Sequence, residues 1–197
     1  MITFDKEGET PLDDISGLIP KITTRDELDS EEAKSISNAF LKYLLLPNEA
    51  KNIQFDEPFL RQVHIDMLGG VWTWAGTYRT TQTSIGVEAN KIQHKLYQLM
   101  DDLKTWTEFW DYKETATKLH HMLVIIHPFL NGNGRWARLV TDIWLATQGY
   151  ETLEWGKDNL GDISDDRSEY IQALKKADNG NLTRLQNFMF PEKIDLN

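Results

Sequence analysis

The chain has 197 residues, of which 40% are hydrophobic and none is cysteine, and its formal net charge is -10. That content suffices for one substantial core, the lack of cysteine excludes a disulfide framework and thiolate chemistry, and the acidic balance repels phosphate backbones, so direct nucleic-acid binding is not expected. No apolar run approaches the length of a membrane span, and residues 1–14 have neither a basic start nor an apolar signal core, so no membrane association and a cytoplasmic location are the expectation.

Taken in chain order, apolar residues at three- and four-residue spacing predict helices over 27–46, 57–68, 90–109, 115–126, 134–147, 165–177 and 182–188. The fold class is therefore all-α, a helical bundle. No Pro/Gly/Ser-rich linker divides it. One stretch breaks the helical pattern: Thr77-Tyr78-Arg79-Thr80-Thr81-Gln82-Thr83-Ser84-Ile85 is rich in Thr and in β-branched or aromatic residues, a composition that predicts an extended hairpin. Trp106, Trp110, Trp136 and Trp144 fall on apolar helical faces and are expected in the core. His64, His94, His120 and His121 show no metal-ligand spacing, so no zinc cluster is expected.

The segment His127-Pro128-Phe129-Leu130-Asn131-Gly132-Asn133-Gly134-Arg135-Trp136-Ala137-Arg138 carries the chemistry. Pro128 disfavours a helical conformation at the residue before it, so the helix over 115–126 ends at His127. Gly132-Asn133-Gly134 permits strained backbone angles, and its N–H groups can converge on an anion. A new helix follows at once, which places this turn at a helix N-terminus, where free N–H groups and the dipole favour phosphate. Arg135 and Arg138 sit three apart on one face of the first turns. Cations there oppose the helix dipole unless an anion is near. Pairing of Arg138 with Asp142 one turn on is the structural alternative.

His-Pro-Phe-x-x-Gly-Asn-Gly-Arg-x-x-Arg resembles the signature of the Fic (filamentation induced by cAMP) family, and Trp74-Ala75-Gly76-Thr77-Tyr78-Arg79 resembles the lead into that family's active-site flap. Tyr170-Ile171-Gln172-Ala173-Leu174, with Ala177-Asp178-Asn179-Gly180 after it, is similar to the closing helices of the same domain. The resemblance implies a Fic-like bundle with a small β-hairpin flap, and a division into an extension over 1–54, a Fic domain over 55–190 and a tail over 191–197. Gly8-Glu9-Thr10-Pro11-Leu12-Asp13 and Ile22-Thr23-Thr24-Arg25-Asp26-Glu27-Leu28-Asp29 resemble the "mobile mystery protein B" branch.

What the resemblance implies about function is transfer of AMP from ATP to a hydroxyl of a target protein, as the toxin part of a toxin–antitoxin-like pair. His127 would be the base, Phe129 an inward anchor for the loop, and Asn131, Gly132, Asn133, Gly134, Arg135 and Arg138 the nucleotide and phosphate site. Thr83, Ser84 and Ile85 would form the flap that holds the target. A helix-turn-helix protein or antitoxin would be a further partner. Asn131 stands where the family usually has an acidic residue holding Mg²⁺, so it is the candidate metal ligand, and a weaker one because it is neutral. Thr3-Phe4-Asp5-Lys6-Glu7-Gly8 matches the family's inhibitory string, which makes Glu7 the candidate inhibitory glutamate. The alternative reading is a nucleotide-binding interaction module without turnover, or transfer of another nucleotide or phosphoryl group.

Overall fold

The computed structural model describes residues 16–45, 53–155 and 165–192. Glu7 lies outside them. Within them the chain forms α1 (Arg25–Phe40), α2 (Glu57–Leu68), α3 (Ile92–Phe109), α4 (Tyr112–Ile126), α5 (Asn133–Thr147), α6 (Asp165–Asp178) and α7 (Thr183–Met189), each close to a helix expected from periodicity. A π-helical turn, Leu41–Leu45, continues α1.

Local chemistry sets where these helices begin. Thr24 caps α1 by accepting from the Glu27 N–H, and the Glu27 carboxylate accepts in return from the Thr24 N–H at 3.1 Å, a reciprocal capping box. Asp56 caps α2, with Pro58 in the first turn, where its missing N–H costs nothing. Asp111 caps α4.

The helices pack around one core. α5 lies against both α4 and α2, α3 and α7 pack on α4, and α1 packs on α2. Leu60, Val63 and Leu68 of α2 meet Leu119 and Leu123 of α4 and Trp136, Val140 and Ile143 of α5 in a shared buried cluster. This arrangement puts the 127–132 loop between two buried helices, where its shape is imposed from both sides.

Two expectations need correction. The stretch over 77–87 does not form paired strands: its single ladder contact is an isolated bridge from Tyr78 to Phe129. The carbonyls of Thr81 and Val87 are instead gathered by the Arg79 side chain. Of the tryptophans, Trp136 and Trp144 are buried, but Trp110 is 39% exposed and stacks on a partly buried Trp106 at 5.3 Å.

Candidate active site

His127 is where α4 stops. It adopts φ 49°, ψ 61°, the left-handed region, and among the described residues it is the one non-glycine with positive φ. Such a conformation is strained for a side-chain-bearing residue and persists only when its surroundings impose it. Here Pro128 forbids helix continuation, and Arg79 grips the chain on both sides of the break, its backbone N–H donating to Pro128 O at 2.9 Å and its Nε to His127 O at 2.7 Å. The imidazole Nδ1 faces Val124 O at 3.3 Å. A carbonyl can only accept, so Nδ1 carries the proton and Nε2 presents a bare lone pair. Burial lowers the His127 pKa, and the Arg79 charge adds to that, which keeps Nε2 available at neutral pH.

The loop that follows is held by side chains rather than by regular structure. Phe129 is fully buried, stacked on His64 at 3.7 Å and edge-on to Trp136 at 5.1 Å, which matches its expected role as an anchor. Asn133 is 2% exposed, and its amide closes a two-way staple: Oδ1 accepts from Phe129 N–H and Nδ2 donates to Phe129 O, both at 2.8 Å. Its side chain therefore shapes the loop. What Asn133 can offer an anion is its backbone N–H.

Gly132 has φ 77°, and a Cβ there would come within 2.6 Å of Leu68 Cδ1, so both backbone angle and packing require glycine. Gly134 differs. It is helical, and a Cβ would meet nothing within 4 Å. Among the described residues no contact requires a glycine there, though glycine costs helix stability, and the space above the first turn of α5 is open. That turn has no side-chain cap and no acidic residue, so its N–H groups and dipole face the space unopposed.

The two arginines part ways. Arg135 Nη1 meets Glu32 Oε2 of α1 at 2.5 Å, and Glu32 Oε1 also accepts from Trp72 Nε1 at 2.7 Å. Among the described residues Arg138 makes no such ion pair. Its guanidinium lies over the Tyr170 ring at 5.9 Å, and Asp142, the expected alternative partner, attracts it through charge while accepting from Leu153 N–H at 3.0 Å and from Trp155 Nε1 at 2.9 Å. Burial pushes Asp142 up to about 6 and lowers the pKa of Arg138. Both arginines border one cleft of about 450 Å³, walled by Ala33, Ile36, Phe40, Leu139 and Trp155.

Two residues were missed by sequence reasoning. His64 of α2 accepts from Gly76 N–H at Nδ1 (2.9 Å), so its Nε2–H donates to Asn131 O at 3.1 Å. It bridges the turn before residues 77–87 to the motif loop, and burial pushes its pKa down to about 4, so it stays neutral. Glu32 is the other. A glutamate inside a polar helix gives no sequence signal. His120, neutral at about 3 through burial, accepts from the Tyr170 hydroxyl at 2.8 Å and so fixes the ring beneath Arg138.

Asn131 turns its Oδ1 toward Gly132 N–H at 2.7 Å. A metal at this loop would find one neutral oxygen, already accepting a hydrogen bond, and among the described residues no cluster of three His, Cys, Asp or Glu residues is placed to hold an ion. These residues do not form a metal centre of their own. Thr83 is half-buried, while Ser84 and Ile85 are exposed, Ile85 by 59%. Gly86 sets this segment directly against His127, since a Cβ there would lie 3.0 Å from His127 Cβ.

Residues 54–145 match the Fic/DOC family. The chain carries a Fic/DOC domain. It is 30% identical over 149 residues to protein adenylyltransferase fic-1 of Caenorhabditis briggsae, a match covering 73% of this chain and 28% of that protein. To protein adenylyltransferase Fic of Nematostella vectensis it is 28% identical over 170 residues, 82% of this chain and 38% of the other. The chain thus spans well under half of these relatives. Among solved structures, Fic-1 of C. elegans superposes with a TM-score of 0.67 at 28% identity, covering 87% of this chain and 50% of that one. The N-terminal FIC domain of the Bep8 protein from Bartonella sp. 1-1C gives 0.70 at 17% identity over 98% and 99%, a likeness of fold. In the Fic/DOC domain of this chain, no helix among the described residues is long and apolar enough to cross a membrane.

Proposed function

We propose that this chain is a protein adenylyltransferase, moving AMP from ATP to a Ser, Thr or Tyr hydroxyl of a target protein. The observation that carries the reading is the pairing of a bare His127 Nε2 with an uncapped helix N-terminus that has open space over Gly134 and two arginines behind it. His127 Nε2 takes the hydroxyl proton as the oxygen attacks the α-phosphorus. The bond from that phosphorus to the bridging oxygen of the β-phosphate breaks, and pyrophosphate leaves with the electron pair. Arg138, Arg135 and the N–H groups of Asn133, Gly134 and Arg135 stabilise the charge that develops on it. A divalent ion would have to arrive on the nucleotide's own phosphates, with Asn131 as its protein contact, and no step is derived through it.

Restraint is assigned to Glu32, beside the candidate Glu7, which lies outside the described residues. The Glu32 carboxylate occupies Arg135, so a polyphosphate must displace it to use that cation. The target is received by the segment around Thr83, Ser84 and Ile85, which completes a strand edge when a target chain docks. The runs at 8–13 and 22–29 support the "mobile mystery protein B" branch, and with it an antitoxin or helix-turn-helix partner; a cytoplasmic location and the division 1–54, 55–190 and 191–197 belong to the same proposal. A nucleotide-binding module without turnover is the second reading, favoured by the neutral Asn131. Incubation of the chain with labelled ATP and cell extract separates them: label on protein, lost in His127→Ala, supports transfer, and bound but unconverted ATP supports the module.

A further inference from the structure

Arg79 is 4% exposed. Burying a guanidinium is costly unless its donors are satisfied, and among the described residues no carboxylate lies within ion-pair distance of it. Carbonyl oxygens from separate stretches converge on it instead. Nε donates to His127 O at 2.7 Å, Nη1 to Thr81 O at 2.9 Å, and Nη2 to Val87 O and, more weakly, to Ile126 O at 3.5 Å.

The identity of these acceptors matters. The Ile126 and His127 carbonyls are the last of α4, which a helix leaves unsatisfied and at the negative end of its dipole. The Thr81 and Val87 carbonyls bracket the short lobe that contains Thr83, Ser84 and Ile85. One planar group therefore closes both ends of the lobe and holds the left-handed turn at His127. Gly86 leaves no slack between them: a Cβ there would stand 2.5 Å from Arg79 Nη2. Anchoring a surface loop requires contacts within that loop, and none with the carbonyl of the base.

We propose that Arg79 is a positioning residue that couples the target-receiving lobe to His127, so that seating a target on residues 82–86 and orienting the base are one event. This rests on the reading of His127 as the base and of the lobe as the docking edge. Load on the lobe is transmitted through Thr81 O and Val87 O to the guanidinium, and from its Nε to the carbonyl of the residue whose imidazole takes the proton. Lysine cannot substitute. Its compact ammonium keeps the charge but lacks the fork that spans acceptors on separate stretches.

The test compares the full chain with Arg79→Lys and Arg79→Met by hydrogen exchange of the amides at 81–87 and 127–131, NMR titration of His127, calorimetry with ATP, and ATP-dependent labelling of the chain itself. In Arg79→Lys both segments should exchange about tenfold faster together, with ATP affinity changed less than about threefold. Labelling should fall about thirtyfold in kcat, with little change in KM for ATP, as misplacement of a base demands. The His127 pKa should stay put in Arg79→Lys and rise in Arg79→Met, where the neighbouring cation is gone. Loosening of 81–87 with parental protection at 127–131 overturns the coupling. So does an equal loss of ATP affinity and kcat, which marks a general structural role. If Arg79→Met fails to fold, Arg79→Lys decides the question. If the parent chain transfers no AMP, the transferase reading fails, while exchange and titration still decide the coupling.

Discussion

Glu32→Gln is the perturbation that asks most of this site. Glu32 Oε2 lies 2.5 Å from Arg135 Nη1, and the side chains are 8% and 22% exposed, respectively. For unit charges about 4 Å apart, an effective dielectric constant near 20 gives about 4 kcal/mol of gross attraction. A polyphosphate reaching Arg135 must overcome that attraction and also the repulsion between the carboxylate and its own charge. Glutamine removes both terms and keeps the shape. Its amide oxygen can still accept from Trp72 Nε1, the bond now made at 2.7 Å, whereas alanine would orphan that buried donor at a cost of about 1–3 kcal/mol. Since leaving Arg135 partly buried and unpaired offsets some of the gain, we expect ATP to bind about tenfold to hundredfold tighter, about 1.4–2.8 kcal/mol, and labelling of target protein to rise. Without nucleotide the variant should melt lower than the parent, and saturating ATP should recover the difference. Calorimetry and thermal melts with and without ATP measure both halves. An unchanged ATP affinity in a folded Glu32→Gln would refute the reasoning, leaving the Glu32–Arg135 pair as a structural tie and the phosphate site elsewhere.

His127→Ala should abolish labelling yet leave ATP binding within about threefold of the parent, and in the parent kcat/KM should fall only as pH drops through a value below 6.5, because burial depresses the imidazole pKa. Gly134→Ala should raise stability by about 0.5–1 kcal/mol, the usual gain of alanine in a helix, while weakening ATP binding, since the added methyl enters the space over the α5 N-terminus; a variant both more stable and equally tight for ATP would remove that space from the site. Arg138→Ala should cost ATP at least tenfold in affinity and AMP little, and equal losses would make Arg138 a packing residue against Tyr170. His64, about 4 in the folded chain against 6.5 unfolded, is a depressed base: its contribution is complete above pH 6.5 and is lost as pH falls from 6.5 toward 4, because only the unfolded chain takes the proton there. The loss is on the order of 3 kcal/mol, and urea titrations at pH 7 and pH 4.5 on the parent and His64→Gln should show a smaller pH-dependent loss in the variant.

Much of this was legible because helix-forming periodicity and capping residues are local. Thr24, Asp56 and Asp111 announce helix starts within a few residues of sequence, and Pro128 announces the end of α4. Phe129 as an inward anchor follows from its place beside the break. The residues that sequence reading missed act across distance. Glu32 meets Arg135 from more than a hundred positions away, and His64 joins Gly76 and Asn131 from a helix that reads as ordinary. The composition of 77–85 favours extended backbone, yet strands need a partner with free N–H and C=O groups. Arg79 draws in two carbonyls of this stretch, and side-chain contacts such as Thr83 with Ile85 O take the place of a ladder. Asn133 reads in sequence as part of an anion cradle, and its side chain proves to be the staple that gives the loop its shape.

In the proposed transfer the two arginines divide the work, because their partners in the protein differ in what they give up. Arg138 rests on an aromatic face, an interaction of about 0.5–2 kcal/mol that needs no departure when an anion arrives at the guanidinium edge. Tyr170 is itself fixed by His120, whose low pKa keeps it a neutral acceptor for the Tyr170 hydroxyl, so the ring beneath Arg138 is held in place. Arg135 is held by a charge that must leave. Capture of a polyphosphate by Arg138 can therefore come first, while engagement of Arg135 waits on displacement of Glu32, and α1 becomes the element whose position decides whether bound nucleotide is also activated nucleotide. On that argument the difference between Arg138→Ala and Glu32→Gln is one of kind: the first removes the initial grip, the second removes the gate, and the double variant should bind ATP weakly while no longer responding to whatever moves α1.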